Sequence, residues 1–285
     1  MSRFDQAEAI EELQRYRLTN ERSSERICQL GAKLINEKYT SKLGDQVWPF
    51  YEQMTIAALD VGDFELADYC IEKLKIRFTE KSLRFRRLLG MRCEAKGSLA
   101  EAQQIYDSIL QEDDTNMLAA KRQIALLKAK QDDANMIEAL TKYLDTYYDD
   151  HEAWLELCDV YLSKYMYEQA SYCCEEMMLL QPSNHITILK YADILYTLNQ
   201  MKLAMKHYCK VLELCKDNVR ALYGLHLCAS KLLNCEEVSH ASDLHALATE
   251  RLLKVYKENV PETVRKSLMD YLQQPTEGTT GVSTS

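Results

Sequence analysis

The segment that most constrains the fold is a stretch of 34 residues, His151 to Asn184, whose pattern recurs immediately after it. Apolar and small side chains return at helical spacing on two stretches that are separated by a short polar turn. In the first copy the repeating positions are Trp154, Leu157, Cys158, Tyr161, Ala170, Cys174, Met177 and Pro182. Moving forward by 34 residues reaches Ile188, Tyr191, Ala192, Leu195, Ala204, Tyr208 and Val211. Such a unit cannot bury its own apolar face, so it needs stacked neighbours.

These positions are the ones that tetratricopeptide repeats fill with tryptophan, leucine, small residues, tyrosine, alanine and proline. The sequence therefore predicts an all-α fold, a right-handed tetratricopeptide-repeat α-solenoid with helical caps at both ends. Only eight glycines and four prolines occur in 285 residues, which is low for a chain with many strands and turns. The composition agrees with an all-α chain.

The repeat array is expected to run from 48 to 237. Its predicted units are 48–82, 83–116, 117–150, 151–184, 185–218 and a degraded unit at 219–237. Unit 117–150 is expected to be irregular, because Ala139 follows Ala102 by 37 residues and precedes Ala170 by only 31. A longer inner turn around 131–133 and a shorter exit at 149–150 would account for these distances.

Helical caps are predicted on both sides of the array. Residues 1–47 contain two amphipathic stretches, at 5–18 and 22–38, and 238–274 contain two more, at 244–256 and 261–272. The tail 275–285 has almost no large apolar side chain and is expected to be disordered.

Several classes of protein are disfavoured by composition. No apolar run of 18 residues occurs, so no membrane span is expected, and the charged N-terminus lacks the apolar core of a secretory signal. Ten cysteines without a C-x-x-C motif indicate small buried thiols in a reducing compartment. A zinc site from Cys173, His207 and Cys209 is a weaker alternative, so neither metal nor cofactor is expected.

Charge is distributed unevenly along the chain. The net charge of −9 argues against nucleic-acid binding, but residues 73–92 contain eight basic residues and the single acid Glu80. This run is either a solvated helix face or a docking patch for an acidic partner segment or anionic lipid headgroups. The candidate patch residues are Arg84, Arg86, Arg87 and Arg92.

No catalytic motif is present, so an enzyme is not expected. The fifth and ninth positions of the repeats lack the lysines and asparagines with which some tetratricopeptide proteins grip chaperone C-termini. Asp159 and Asp193 share one repeat position, and a groove beside them would suit an apolar helix or extended segment with some positive charge. Alternatively, some of these side chains only cover helices of the next unit. The candidate partner-binding residues are Arg87, Leu155, Asp159, Leu189, Asp193, Tyr196 and Tyr223.

Segments outside the repeat pattern resemble one family. They are SKLGDQVWPFYEQMTIAALDVGD (41–63), ILQEDDTN (109–116), HEAWLEL (151–157) and RALYGLHLCAS (220–230). They are similar to subunit 2 of the ER membrane protein complex, a family also called tetratricopeptide repeat protein 35.

The resemblance implies a non-enzymatic α-solenoid without a span of its own, held peripherally on the cytoplasmic face of the endoplasmic reticulum membrane. The host complex would insert tail-anchored and some multi-spanning proteins. The partners implied are other subunits of that complex, including subunits 3, 5 and 8 or 9. A free cytosolic co-chaperone adaptor is the alternative, and an enzyme α-solenoid such as a prenyltransferase-like subunit ranks third.

Overall fold

A polar residue precedes the first helix of five successive repeats, and these residues recur every 34 positions. In the computed structural model, the side chains of Ser82, Asn116, Asp150, Asn184 and Asn218 each accept a hydrogen bond from a backbone N–H of the following first turn. Side-chain caps of this kind satisfy one of the unpaired donors at a helix N-terminus. They define where each repeat begins.

The structure describes residues 5–233, 240–256 and 260–272. The chain divides into an N-terminal half, Met1–Ala139, and a C-terminal half, Leu140–Ser285. The helices that begin in the N-terminal half are α1 (Gln6–Thr19), α2 (Ser24–Asn36), α3 (Val47–Val61), α4 (Phe64–Arg77), α5 (Leu83–Ala95), α6 (Leu99–Glu112), α7 (Met117–Ala129) and α8 (Asp133–Thr146). Those that follow are α9 (His151–Ser163), α10 (Tyr167–Leu180), α11 (His185–Thr197), α12 (Met201–Leu214), α13 (Val219–Leu232), α14 (Ala241–Val255) and α15 (Glu262–Leu272).

Neighbouring helices pack against each other along the chain. This holds from α1 to α7 in the N-terminal half and from α9 to α15 in the C-terminal half. No strand occurs among the described residues, and two short 3-10 turns, Tyr39–Lys42 and Gly44–Gln46, connect α2 to α3. The predicted fold class, all-α with tetratricopeptide-type helix pairs and helical caps, is confirmed.

The repeat at 117–150 is regular, so the prediction of a longer inner turn and a shorter exit there is wrong. Its two helices have 13 and 14 residues, as α9 and α10 do. Met136, and not Ala139, occupies the position of Ala102 and Ala170, and it is 1% exposed. Methionine fills this position because its unbranched side chain adapts to irregular space.

The inner turns of the repeats also recur at 34-residue spacing. Each contains one residue with a left-handed backbone: Gly97 (φ 80°), Gln131 (φ 57°), Tyr165 (φ 60°) and Asn199 (φ 61°). Three of these four residues carry a side chain, although glycine adopts this conformation at the least cost. The turn geometry is therefore kept even where the sequence does not signal it.

Part of the predicted organisation lies outside the described residues. This applies to the expected disordered tail at 275–285 and to 234–237 of the last repeat. Among the described residues, no helix is both long and apolar enough to cross a membrane.

Candidate partner-binding groove

An open pocket of about 350 Å³ lies beside α11 in the C-terminal half. We call it the α11 groove. Ile186 in its wall is 65% exposed, and the half-buried Leu189 lies one turn further along the same helix. Exposed apolar side chains grouped around a groove commonly mark a protein-binding surface. The residues that line the α11 groove are Leu162, Tyr167, Ile186, Leu189, Lys190, Asp193, Ile194, Thr197 and Arg220.

Leu189 and Asp193 of this lining were predicted from the sequence, whereas Leu162, Tyr167 and Ile186 were not. A signal for Ile186 existed, because the same position is Glu152 in the preceding repeat and Arg220 in the following one. An isoleucine at an outward-facing repeat position where the neighbouring repeats carry charged residues is a sequence feature of this groove.

The two aspartates beside the groove are each held by a base from the next repeat. Asp159 Oδ1 accepts a hydrogen bond from Lys190 Nζ at 2.6 Å. Asp193 accepts one from Arg220 Nε at 2.7 Å and a second from the Tyr208 hydroxyl, also at 2.7 Å. Burial, together with the bond to this carboxylate, raises the pKa of Tyr208. The groove is therefore bordered by alternating charges and is not uniformly acidic.

The other predicted groove residues of this half have separate surroundings. Leu155 is half-buried on α9 and does not line the α11 groove. The Lys231 ammonium lies 4.5 Å from the centre of the Tyr196 ring. Tyr223 packs against Tyr256 and Tyr271, with ring centres 6.4 and 6.3 Å apart. Tyr223 thus covers α14 and α15, which is the role that the alternative interpretation gave to some of these side chains.

Arg87 lies in the N-terminal half, in a nearly buried ion pair. Its Nη2 is 2.9 Å from Glu52 Oε1, and the two side chains are only 15% and 11% exposed. Burial lowers the pKa of Arg87, and the Glu52 carboxylate opposes that effect. Arg84 binds the second oxygen of the same carboxylate. Glu52 therefore holds two of the four candidate patch residues.

The remaining two patch residues pair with other acids. Arg86 contacts Glu112, and Arg92 binds Asp68, with Arg92 Nη2 at 3.0 Å from Asp68 Oδ2. The hydrogen bond from Arg92 lowers the pKa of Asp68. Arg84 and Arg87 thus share one carboxylate, whereas Arg86 and Arg92 each bind a different acid. The partner acids are 24 to 35 residues away in the chain, so local sequence could not reveal them.

The cysteines are thiols placed mainly among packed helices. Nine lie in the described residues, and all nine are free. Burial raises the pKa of Cys70 and of Cys173 to about 12. Within the described ranges, no three histidine, cysteine or acidic side chains form a group that could hold a metal ion. The alternative zinc set of Cys173, His207 and Cys209 is therefore not assembled.

Helix pairs of constant length, repeated every 34 residues and capped at the first helix, define a tetratricopeptide-repeat protein. Residues 74–211 match the family described as the EMC2 TPR-like repeat domain. The chain is 38% identical over 259 residues to the ER membrane protein complex subunit 2 of Xenopus tropicalis. This alignment covers 87% of this chain and 85% of that protein. It is 40% identical over 220 residues to subunit 2-A of Xenopus laevis, covering 76% and 73% of the two chains. The chain belongs to the ER membrane protein complex subunit 2 family.

A solved structure supports the fold independently. The C-terminal part of a TPR repeat-containing protein from Cytophaga hutchinsonii superimposes with a TM-score of 0.60 at 18% identity. The match covers 93% of this chain and 98% of that one. At this level of identity the likeness extends to the fold alone.

Proposed function

We propose that the chain is a non-catalytic scaffold subunit of the ER membrane protein complex that binds segments of partner subunits in the α11 groove. Membership of the subunit 2 family supports the assignment to the complex. The observation that carries the binding role is the exposed Ile186 beside Leu189 in an open groove. Two charge pairs, of Asp159 with Lys190 and of Asp193 with Arg220, flank these apolar side chains.

The groove chemistry favours an amphipathic partner helix or extended segment. A large apolar side chain that becomes fully buried in such a groove contributes about 1.5–3 kcal/mol. The flanking ion pairs are partly exposed, with the Arg220 side chain 73% accessible, and pairs of this type contribute only about 0–1 kcal/mol. A partner can therefore displace these bases and bind the carboxylates with its own positive groups.

The proposed function also specifies a cellular location and a role in membrane-protein insertion. The chain would lie peripherally on the cytoplasmic face of the endoplasmic reticulum membrane, without a span of its own. It would support the insertion of tail-anchored and multi-spanning proteins by holding cytosolic segments of other subunits, including subunits 3, 5 and 8 or 9. The names of its relatives as complex subunits support this proposal.

Affinity purification from detergent-solubilised membranes tests the groove. We expect Leu189→Asp to reduce recovery of the other subunits, because a charge replaces an apolar anchor. The matched control is Leu179→Asp, since Leu179 is 75% exposed on α10 and does not line the α11 groove. Thermal unfolding of both variants checks that the fold is kept.

The outcomes separate the candidate functions. Normal subunit recovery with a folded Leu189→Asp variant would contradict the groove assignment. If the unsubstituted chain recovers chaperones and no membrane subunit, the assignment to the complex fails and the co-chaperone adaptor is favoured.

A further inference from the structure

A second pocket, of about 650 Å³, lies between α8, α9 and α10 in the C-terminal half. None of the residues that line the α11 groove also lines this pocket. Its walls combine three aromatic side chains with three acids, and we call it the aromatic–acidic pocket. The residues that define it are Asp145, Tyr148, Trp154, Glu168, Tyr172 and Glu176.

The aromatic side chains are held in place by contacts within the pocket. Trp154 Nε1 donates a hydrogen bond to the Tyr148 carbonyl oxygen at 2.8 Å. The Trp154 and Tyr172 rings meet edge to face, with centres 6.0 Å apart. Trp154 is 8% exposed, whereas Tyr148 and Tyr172 are 71% and 54% exposed. The pocket thus has a fixed indole and two tyrosines with accessible rings.

No basic side chain of the described residues shares the walls of the pocket with its three acids. Among the described residues, no lysine, arginine or histidine lines this pocket or forms an ion pair with Asp145, Glu168 or Glu176. Glu176 interacts with the Tyr172 hydroxyl, and this interaction raises the pKa of Tyr172. By contrast, Asp159 and Asp193 beside the α11 groove each have a base. Three carboxylates around aromatic rings make a site that is complementary to a cation.

We propose that the aromatic–acidic pocket binds a partner peptide segment that inserts an arginine or lysine side chain. The aliphatic stem of such a side chain packs on apolar surface while its charged head remains polar. The head would lie over the exposed rings of Tyr148 and Tyr172, a cation–π contact. Glu168 and Asp145 would accept charge-assisted hydrogen bonds from it. The pocket volume falls within the range of about 300–1,000 Å³ that is usual for ligand-binding clefts.

This site adds a second interaction surface to the proposed scaffold and does not depend on it. The α11 groove offers exposed isoleucine and leucine between paired charges. The aromatic–acidic pocket offers tyrosine and tryptophan rings beside carboxylates that form no ion pair within the described part of the chain. A scaffold with both could hold two chemically different segments of its partners at the same time.

Fluorescence of Trp154 gives a direct readout. The chain has two tryptophans, so Trp48→Phe in the full-length protein leaves Trp154 as the only one. The probe is a short peptide of alternating leucine and arginine, and the control peptide carries citrulline, which is neutral and of similar shape, in place of arginine. We expect the arginine peptide to change the Trp154 emission and to bind about tenfold or more tightly than the citrulline peptide.

A charge reversal at Glu168 provides the matched test. Glu168 and Glu152 are both exposed and both lie in the first turn of their helices, α10 and α9, so the two reversals disturb helix ends alike. Only Glu168 lines the pocket. We expect Glu168→Lys to weaken arginine-peptide binding about tenfold, and Glu152→Lys to leave it within about twofold.

Three results would overturn the proposal. They are equal affinity for the two peptides, equal binding by the two lysine variants, and an unchanged Trp154 emission at saturating arginine peptide. Circular dichroism of Glu168→Lys shows whether lost binding is separate from lost folding. If Leu189→Asp, and not Glu168→Lys, abolishes binding, the peptide uses the α11 groove and the assignment of this pocket is wrong.

Discussion

The ring of Tyr208 lies directly against Gly224, at the contact between α12 and α13. A Cβ built on this glycine would be 2.3 Å from Cζ of the tyrosine and 2.4 Å from its Cε1. The tyrosine is 2% exposed and its hydroxyl donates to Asp193, so the ring cannot move away freely. Gly224 is therefore a packing requirement between two successive repeats.

This contact predicts that the effect of Gly224→Ala depends on residue 208. In the unsubstituted chain, the overpacking cost of about 1–3 kcal/mol exceeds the gain of about 0.5–1 kcal/mol from replacing glycine in a helix. We expect net destabilisation, measured by urea unfolding. In a Tyr208→Leu background the clash is removed, so Gly224→Ala should be neutral or stabilising. The same sign in both backgrounds would show that the ring does not set the requirement.

The pair of Glu52 and Arg87 gives a second prediction. Because both side chains are nearly buried, Glu52→Leu leaves the arginine charge without its partner, and we expect a loss of about 3 kcal/mol in the free energy of unfolding. Replacing both residues by methionine should recover most of this loss, since no charge is then left buried. Glu80→Gln is the control, because the Glu80–Lys75 pair is exposed; it should leave the urea midpoint unchanged. A Glu52→Leu midpoint equal to that of the unsubstituted chain would contradict the prediction.

The fold could be predicted from the sequence because small and apolar residues recur in the packed positions of the helices. The frame failed at the repeat 117–150, where Met136 stands in place of alanine. The capping residues, such as Asn116 and Asp150, would have located this repeat correctly. They mark the start of a helix, and their spacing does not depend on the size of the buried side chains. The pairing of Asp193 with Arg220 could not be predicted in the same way, because these two residues are 27 positions apart in the chain and lie on different helices.

His226 introduces a dependence on pH near the C-terminal cap. It is 6% exposed, and neither ring nitrogen has a hydrogen-bond partner among residues 5–233, 240–256 and 260–272. Its ring lies 4.3 Å from that of His245 on α14 and 6.0 Å from that of Tyr271 on α15. Burial, and then the neighbouring His245, lower the pKa of His226. The folded protein therefore resists protonation of this imidazole.

The sign of the effect follows from linkage. In the unfolded chain a histidine has a pKa of about 6.5. Above this pH neither state binds a proton at residue 226, so protonation of this residue does not lower the free energy of unfolding. As the pH falls below about 6.5 the unfolded state binds the proton first, and stability decreases by up to about 1.4 kcal/mol per pH unit for one such group. We expect urea unfolding between pH 8 and pH 5.5 to show this loss, and His226→Leu to reduce it. His240→Leu is the matched control, because the His240 side chain is 80% exposed and should keep the unsubstituted profile. Parallel profiles for His226→Leu and the unsubstituted chain would refute the role of His226.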